Sequence, residues 1–202
     1  MVKKTQTTEE KILEAAKTVF HRKGFEGSRM QEIADEAGIN KALLHYYFRT
    51  KENLFDAVFT AAFREIFTKL FTTVEADVPL EEKLKNLINE YISFLQKNSY
   101  IPGFILAEMN QNPEKIIEIF KSAPIPPTKL FERLKESVKD EKLDNTDFRD
   151  LFINILALCI FPIVARPMLQ QIFNFSDEQY DQFIENRKLE LPGFIMNAIR
   201  KK

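Results

Sequence analysis

Apolar residues recur every three or four positions along most of this chain, and no stretch alternates apolar and polar residues as a strand does. The first apolar stripe consists of Ile12, Leu13, Ala16, Val19 and Phe20. Thr7 and Glu10 precede it in the order of a capping box, and Gly24 follows it as a helix stop. The pattern predicts a first helix from Thr7 to Gly24, with Phe25 folded back over a small core.

Residues 28–51 carry the pattern of two short helices joined by a tight turn. Ser28 is placed to cap the first of them, with Gln31 bonding back to it. The apolar face of this helix consists of Met30, Ile33, Ala34 and Ala37. Gly38 is expected to end it in the left-handed conformation, and Asn40 can cap the next helix.

The second short helix exposes most of its surface. Only Leu44 and Phe48, four residues apart, need to face inward. The outward positions combine donors, aromatic rings and small groups, namely Lys41, Ala42, Leu43, His45, Tyr46 and Tyr47. Two helices, a glycine-containing turn and a half-buried second helix are typical of the helix-turn-helix that reads the major groove of DNA.

The segment GINKALLHYYFRTKENLF resembles the signature of TetR-type transcriptional regulators, and the similarity extends back through TTEEKILEAAKTVFHRKGFEGSRMQEIADEAG to Thr7. It covers about a quarter of the chain. Members of the family often have Tyr followed by His where this chain has His45 and Tyr46, so the roles of these two can be exchanged. Leu43 is bulkier than the common Thr or Ser, which bears on base preference. The resemblance implies a homodimer that binds operator DNA and releases it when a small-molecule inducer binds.

The residue types on and around the second short helix suit contacts with double-stranded DNA. The candidate DNA-binding residues are Ser28, Arg29, Lys41, Ala42, Leu43, His45, Tyr46, Tyr47 and Lys51. Lys41 lies in the first turn, where its amine can reach a base edge or a phosphate. Ala42 and Leu43 can contact a thymine methyl group.

The other candidates suit the DNA backbone, which fixes register rather than sequence. Tyr46, Tyr47 and Lys51 can contact phosphates. Ser28 and Arg29 can meet the flanking backbone from the start of their helix. The alternative for Tyr47 is a ring that covers the core, and for Arg29 a solvated side chain.

The charge is uneven along the chain, although the net charge at pH 7 is only −1. Residues 1–51 hold ten Lys and Arg against seven Asp and Glu, a net +3. Residues 52–202 hold 19 and 23, a net −4. The basic part coincides with the helix-turn-helix, as a phosphate-binding surface should.

A long helix is predicted directly after the helix-turn-helix, with Thr50 as its cap. Its apolar stripe, from Leu54 to Val74, is too wide for one partner. The first half is expected to pack against the DNA-binding part and the second half to enter another core. This arrangement predicts a DNA-binding domain at residues 1–51 and a helical ligand-binding and dimerisation domain at residues 52–202.

The helical pattern continues to the C-terminus with breaks at prolines and charged loops. Clustered prolines predict a break at residues 124–127, and residues 140–145 read as a charged loop. A long apolar helix is expected from Thr146 to Ala165, bent near Pro162 and stopped around Pro167. Ser176 and Gln179 form a capping box for a last helix, with a disturbance at residues 192–193. The predicted fold class is all-α, with about nine helices.

The composition indicates a cytoplasmic, soluble protein. Cys159 is the only cysteine, so no intrachain disulfide is possible. The N-terminus lacks the apolar core of a signal peptide. The most apolar run, residues 151–165, is shorter than the ~20 residues that span a bilayer and contains Asn154 and Pro162. No membrane partner is expected.

The region after residue 51 holds 16 of the 19 phenylalanines. Such a stripe is more often core than pocket, so the expectation of a ligand comes from the resemblance. Candidate pocket residues are Phe59, Phe63, Phe67, Phe104, Met109, Phe120, Phe152, Ile155 and Cys159, with Asn110 and Asn154 as polar handles.

Enzymatic and metal chemistry find no support in the sequence. It has no glycine-rich phosphate loop, no Cys–His pairing and no serine elbow motif, so neither an enzyme nor a cofactor is predicted. Both histidines, His21 and His45, lie in the first 51 residues, which argues against a histidine-bound metal in the ligand region.

A single helix-turn-helix offers only a small surface for DNA contact. Tight operator binding generally requires two such units about one DNA turn apart. A homodimer is therefore expected. The best candidate surfaces are residues 151–165 and the apolar positions Tyr180, Phe183, Ile184, Leu189, Phe194, Ile195 and Ile199. The alternative is that both segments are simply core.

The sequence thus predicts a ligand-responsive DNA-binding regulator, most simply a repressor released from a palindromic operator by a small, largely apolar molecule. The alternative is a helical module that binds an apolar ligand or a protein and has lost specific DNA binding. The basic N-terminal part and the intact helix-turn-helix favour the first.

Overall fold

The structure, a computed structural model, describes residues 6–123, 125–140 and 147–200. Within these ranges the chain forms eleven α-helices and no strand. In order they are α1 (Thr8–Gly27), α2 (Met30–Glu36), α3 (Lys41–Tyr47), α4 (Lys51–Glu75), α5 (Leu80–Lys97), α6 (Tyr100–Gln111), α7 (Pro113–Ser122), α8 (Pro127–Asp140), α9 (Phe148–Val164), α10 (Arg166–Phe173) and α11 (Asp177–Arg200). The all-α prediction is confirmed, with more helices than expected.

Helix α1 begins as the sequence predicts and ends later. The Thr7 hydroxyl accepts from the backbone N–H of Glu10, and the Glu10 carboxylate accepts from that of Thr7, which completes the capping box. Gly24 does not end the helix. Its φ of 70° produces a kink, after which the helix continues to Gly27.

The predicted capping box between Ser28 and Gln31 is wrong. The Ser28 hydroxyl instead donates to the carbonyl oxygens of Gly24 and Phe25, at 2.7 and 2.8 Å. The cap position of α2 belongs to Arg29, whose backbone N–H donates to the Glu32 carboxylate at 3.2 Å. The kink at Gly24 leaves carbonyls of α1 without helical donors, and the Ser28 hydroxyl satisfies them.

Two hydrophobic cores share α4, as predicted. The first core comprises Ile12, Ala15, Ala16, Val19, Phe20, Ile33, Ala34, Leu44, Phe48, Leu54, Phe55, Val58, Phe59, Ala62, Phe63 and Ile101. The second core is formed by buried residues of α4 from Ile66 onward and of α5, α8, α9 and α11. Phe67 and Phe94 are partly buried and pack against both cores.

Helix α6 also belongs to the first core, which the sequence does not reveal. Ile101 is fully enclosed there, with 1% of its surface exposed. The Tyr100 ring lies 6.1 Å from that of Phe20, and the Phe104 ring 4.2 Å from that of Phe55. Burial raises the pKa of the Tyr100 hydroxyl. The core under the helix-turn-helix is therefore completed by residues about fifty positions further along the chain.

The C-terminal helices depart from the sequence pattern at their prolines. Helix α9 ends at Val164, and Pro167 does not end the helical structure there. It lies in the first turn of a further helix, α10, where a missing N–H costs nothing. Helix α11 continues through Pro192. The predicted break at the clustered prolines is confirmed, since α7 ends at Ser122 and α8 begins at Pro127, although Pro124 itself lies outside the described residues. Helix α9 begins after Asp147, which caps it, and the segment 141–146, with the predicted cap Thr146, lies outside the described residues.

No single helix in the described ranges has both the length and the apolar content of a membrane span. Only α9 and α10 taken together meet those two conditions, and a 72° bend separates them. Six side chains of α9 are buried, mainly in the second core, as expected of a core helix.

Candidate nucleic-acid interface

Helix α3 is held in place by one cap and two buried side chains. The Asn40 side chain accepts from the backbone N–H of Leu43 at 2.8 Å, as predicted. Leu44 has no exposed surface and Phe48 only 8%. These contacts fix the axis of α3 on the first core and leave its remaining side chains in solvent.

The outward face of α3 is the one that the apolar pattern predicts. Lys41, Ala42 and His45 are exposed, and Leu43 exposes 37% of its surface. Tyr46 is 81% exposed, and its ring meets that of Tyr47 edge-on at 5.6 Å. Tyr47 is 40% exposed, so it is not a ring that merely covers the core. A surface of aromatic hydroxyls and an amine on a protruding helix can contact both base edges and phosphates.

His45 fastens the C-terminal end of α3. Its Nδ1 lies 3.1 Å from the carbonyl oxygen of Arg49, and since a carbonyl only accepts, Nδ1 carries the hydrogen. The bond holds the Arg49 backbone beside α3. The Arg49 side chain is exposed and forms no ion pair with a described residue. Arg49 is thus a further candidate for phosphate contact; its position between α3 and α4 was the available sequence signal.

Ser28 and Lys51 are engaged within the protein. Ser28 is 3% exposed, and its hydroxyl bonds two carbonyls of α1. The Lys51 ammonium donates to the carbonyl of Phe25 at 2.9 Å and lies 4.3 Å from the centre of its ring. A second carbonyl, that of Ser28, is 3.4 Å away. These two residues join the end of α1 to the start of α4.

Ion pairs remove several N-terminal cations from the candidate surface. Lys17 pairs with Glu14 at 2.7 Å, and Lys23 pairs with Glu32. The hydrogen bond from Lys23 lowers the pKa of the Glu32 carboxyl, which therefore stays ionised. In the described part of the chain, no ion pair involves Arg29, Lys41 or Arg49. Of these three unpaired cations, Lys41 lies on α3, Arg49 follows it, and Arg29 precedes α2.

Comparison with known proteins agrees with this geometry. The profile of the family described as bacterial regulatory proteins, tetR family, matches residues 12–58. The probable HTH-type transcriptional regulator YttP of Bacillus subtilis (strain 168) is 22% identical over 189 residues, covering 91% of each chain. These matches support a TetR-family regulator, with the family model restricted to residues 12–58.

Solved structures resemble this chain over nearly its whole length. The fatty acid degradation regulator FadR of Bacillus halodurans has a TM-score of 0.67 at 21% identity, covering 94% of this chain and 96% of its own. FadR of Bacillus subtilis, solved in complex with stearoyl-CoA, has a TM-score of 0.63 at 21% identity, covering 90% and 96%. At these identities the likeness shows a shared fold.

The predicted ligand residues fall in three places. Five rings form a continuous aromatic chain from α4 to α6 and α7, namely Phe59, Phe63, Phe67, Phe104 and Phe120. Neighbouring rings lie 4.8–5.6 Å apart. Four of the rings lie in or against the first core, and the aromatic chain reaches the boundary between the two cores at Phe67, which packs against both.

The other predicted ligand residues are not part of that aromatic chain. Ile155 and Cys159 are buried in the second core, and the Phe152 ring packs against Phe131 at 5.5 Å. Burial raises the pKa of the Cys159 thiol to about 12. The remaining three, Met109, Asn110 and Asn154, are exposed. The assignment of these eleven residues to a ligand stays a prediction.

A groove of about 850 Å³ opens on another side, between α1, α4, α5 and α11. It is lined by Glu14, Lys17, Thr18, His21, Glu65, Ile66, Lys69, Glu90, Ser93, Phe94, Gln96, Lys97, Asn98 and Lys188. Half of these side chains are charged, three of them acidic and four basic. The His21 ring lies 3.3 Å from the carbonyl oxygen of Gln96, which links α1 directly to α5.

Proposed function

We propose that this protein is a transcriptional repressor that binds a palindromic operator as a homodimer and is released by a small, largely apolar ligand. The observation that carries the proposal is the exposed face of α3. A capped helix that buries only Leu44 and exposes Lys41 and Tyr46 has little structural reason to keep that composition. Arg49, which follows α3, and Arg29, which precedes α2, suit contacts with the phosphates that flank the major groove.

Two copies of the chain are needed because a single helix-turn-helix binds DNA weakly. A single positively charged unit gives affinities of ~10⁻⁴ to 10⁻⁶ M for any sequence. A dimer presents two α3 helices to successive major grooves, ~34 Å apart. Surfaces for it are available on α9 and α11, where Phe161 and Phe194 expose 56% and 63% of their surface.

The ligand is proposed to insert along the aromatic chain between the two cores. Rings packed edge-on or tilted can be separated by an apolar molecule that replaces the contacts they lose. The similarity to FadR of Bacillus subtilis, solved with stearoyl-CoA, supports a long acyl chain as the ligand's apolar part.

Two helices would carry the ligand's effect to α3. Helix α4 begins beside α3 and contributes Phe59, Phe63 and Phe67 to the aromatic chain. Helix α6 inserts Ile101 and Phe104 into the first core and reaches α7, whose Phe120 ring lies 5.0 Å from that of Phe63. Displacement of these rings tilts the first core against the second and changes the separation of the two α3 helices in the dimer.

The DNA-binding role is tested with variants of α3 and a matched control. Lys41→Ala and Tyr46→Ala remove exposed side chains and should weaken binding to DNA flanking the gene about tenfold or more, without changing thermal unfolding. Lys85→Ala removes an exposed lysine of α5 and should leave binding unchanged. Fluorescence anisotropy at fixed salt provides the measurement. Equal binding by parent and α3 variants would favour the module that has lost specific DNA binding.

A further inference from the structure

Helix α11 carries an outward stripe that its second core covers only in part, since Phe183 packs against that core while Phe194 stays exposed. Phe183, Arg187, Glu190 and Phe194 follow one another at spacings of four, three and four residues, so they lie on one face of the helix. Phe194 is 63% exposed and Glu190 is exposed. Phe183 and Arg187 are half-buried. The stripe is apolar at both ends and charged in the middle.

A parallel stripe lies on α9, beside that of α11. Asn154, Leu158 and Phe161 recur at spacings of four and three residues, and Phe161 is 56% exposed. A hydrogen bond joins the two stripes, from the Arg187 guanidinium to the carbonyl of Leu158, at 2.9 Å. This bond places Arg187 of α11 beside Leu158 of α9, and the exposed rings of Phe161 and Phe194 lie on the same two helices.

The bond to Leu158 has a specific cause. In an α-helix the carbonyl of residue 158 would accept from the N–H of residue 162, but residue 162 is proline and has no N–H. Arg187 supplies the missing donor. This contact fixes the guanidinium at the surface between α9 and α11.

Arg187 is nevertheless incompletely paired. Its Nε is buried without a hydrogen-bond partner, and none of the described carboxylates forms an ion pair with it. A partly desolvated guanidinium without a counter-charge is unfavourable. Glu190, three residues further on the same stripe, likewise forms no ion pair within the described ranges. One unpaired cation and one unpaired anion therefore sit side by side on an exposed apolar face.

We propose that a second copy of this chain covers the stripe and that Arg187 of each subunit pairs with Glu190 of the partner subunit. The inference rests on the dimer of the proposed function and specifies its contacts. In a two-fold interface each contact between residues i and j occurs twice. If two α11 helices cross antiparallel between positions 187 and 190, each arginine faces a glutamate, and the flanking Phe183 and Phe194 rings exclude water from both pairs.

The pairing sets the register and the choice of partner. Displacement of one α11 by a turn would bring like charges together or leave both unpaired, and either outcome is unfavourable in an apolar surround. The apolar rings favour association of the two α11 helices in any register, whereas the two ion pairs favour a single register. Arg187 and Glu190 are accordingly specificity-determining residues for self-association.

Charge reversal at the two positions tests the proposal. Glu190→Arg places two arginines opposite each other, and Arg187→Glu places two glutamates opposite each other, so each variant should dimerise at least ~10-fold more weakly than the parent. Glu190 is exposed and forms no ion pair or side-chain hydrogen bond with a described residue, so Glu190→Arg should keep the parent's thermal unfolding when monomeric. Glu118→Arg, an equal charge change on exposed α7, should remain as dimeric as the parent.

Mixing the two variants gives the decisive measurement. A Glu190→Arg subunit offers two arginines and an Arg187→Glu subunit two glutamates, so their heterodimer restores both pairs. Native mass spectrometry of the mixture should show heterodimer well above the statistical half. A statistical mixture, or unchanged dimerisation of Glu190→Arg, would overturn the pairing while leaving the dimer itself intact. A monomeric parent at operator-binding concentrations would overturn the dimer and the pairing together.

Discussion

The Lys51 ammonium occupies a junction of the N-terminal helices. It donates to the Phe25 carbonyl, lies over the Phe25 ring, and comes within 3.4 Å of the Ser28 carbonyl. The residue begins α4, so its side chain ties the first turn of that helix to the end of α1. A lysine that suits a phosphate by sequence is, in the folded chain, also a structural tie.

Lys51→Ala is therefore expected to destabilise the protein as well as weaken DNA binding. Loss of charge-assisted hydrogen bonds and of the contact with the ring should cost about 1–3 kcal/mol. Urea unfolding should show a lower midpoint with an unchanged slope. Lys41→Ala, the matched control on α3, should unfold as the parent does. A parental midpoint for Lys51→Ala would show that the tie is not needed.

The salt dependence of binding separates the two roles of Lys51. Loss of a phosphate contact lowers the slope of log K against log salt by about 1, whereas a purely structural loss lowers affinity without that change. The same comparison applied to Arg49→Ala tests whether Arg49, which is exposed after α3, contacts a phosphate.

At the scale of helices, α9 and α11 are joined by polar contacts around a proline. The Arg187 guanidinium donates to the Leu158 carbonyl, and the Tyr180 hydroxyl donates to the Pro162 carbonyl at 2.6 Å. The Leu158 carbonyl lacks its helical donor because residue 162 is proline, whereas the Pro162 carbonyl lies in the last turn of α9, which ends at Val164. Side chains of α11 thus replace backbone donors that α9 lacks, which is how a proline is accommodated inside a buried helix.

A double-mutant cycle measures this replacement. Arg187→Met should destabilise the subunit by about 1–3 kcal/mol, because it leaves the Leu158 carbonyl unsatisfied. In a Pro162→Ala background, the alanine N–H can bond that carbonyl, so the same change should cost less. Chemical unfolding at one protein concentration gives the four free energies. Equal costs in both backgrounds would mean that Arg187 does not compensate for Pro162.

At the scale of the whole molecule, the two cores meet along the aromatic chain, with α4 and α6 passing between them. A salt bridge adds to this connection, since Lys115 of α7 lies 2.7 Å from Asp56 of α4. Asp56 Oδ1, the atom nearest Lys115, has no well-oriented hydrogen bond despite being buried, so the contact acts mainly through charge. Ligand-driven movement of α7 would therefore act directly on the helix that supports α3.

Coupling between ligand and operator should be equal in both directions. A coupling free energy of about 1–3 kcal/mol changes either affinity 5- to 150-fold. Calorimetric titration with stearoyl-CoA as the probe, with and without operator DNA, should give the same factor as operator titration with and without stearoyl-CoA. Binding of the probe with equal affinity in both titrations would exclude this mechanism for acyl ligands.

The helices and the DNA-binding face could be read from the sequence because their determinants are local. Caps such as Thr7 and Asn40 act within one turn, and the pattern that leaves only Leu44 and Phe48 inside α3 spans five residues. The error at Ser28 has the same local scale, since a serine next to a kinked helix end has carbonyls as well as N–H groups to satisfy. The aliphatic and aromatic periodicity of α4 likewise predicted that it would pass through two cores.

Only the tertiary structure decided which apolar faces meet. Sequence periodicity marks Ile195 and Phe194 alike as apolar, but Ile195 is buried in the second core and Phe194 is 63% exposed. Helix α6 inserts into the first core, and Arg187 donates a hydrogen bond to the Leu158 carbonyl. Both contacts join residues that are far apart in the chain. Such contacts depend on the relative placement of whole helices, which packing of both cores fixes together. The sequence by itself thus determined the helices and the surface of α3, whereas long-range packing decided how α3 is supported and which stripe is left for a second subunit.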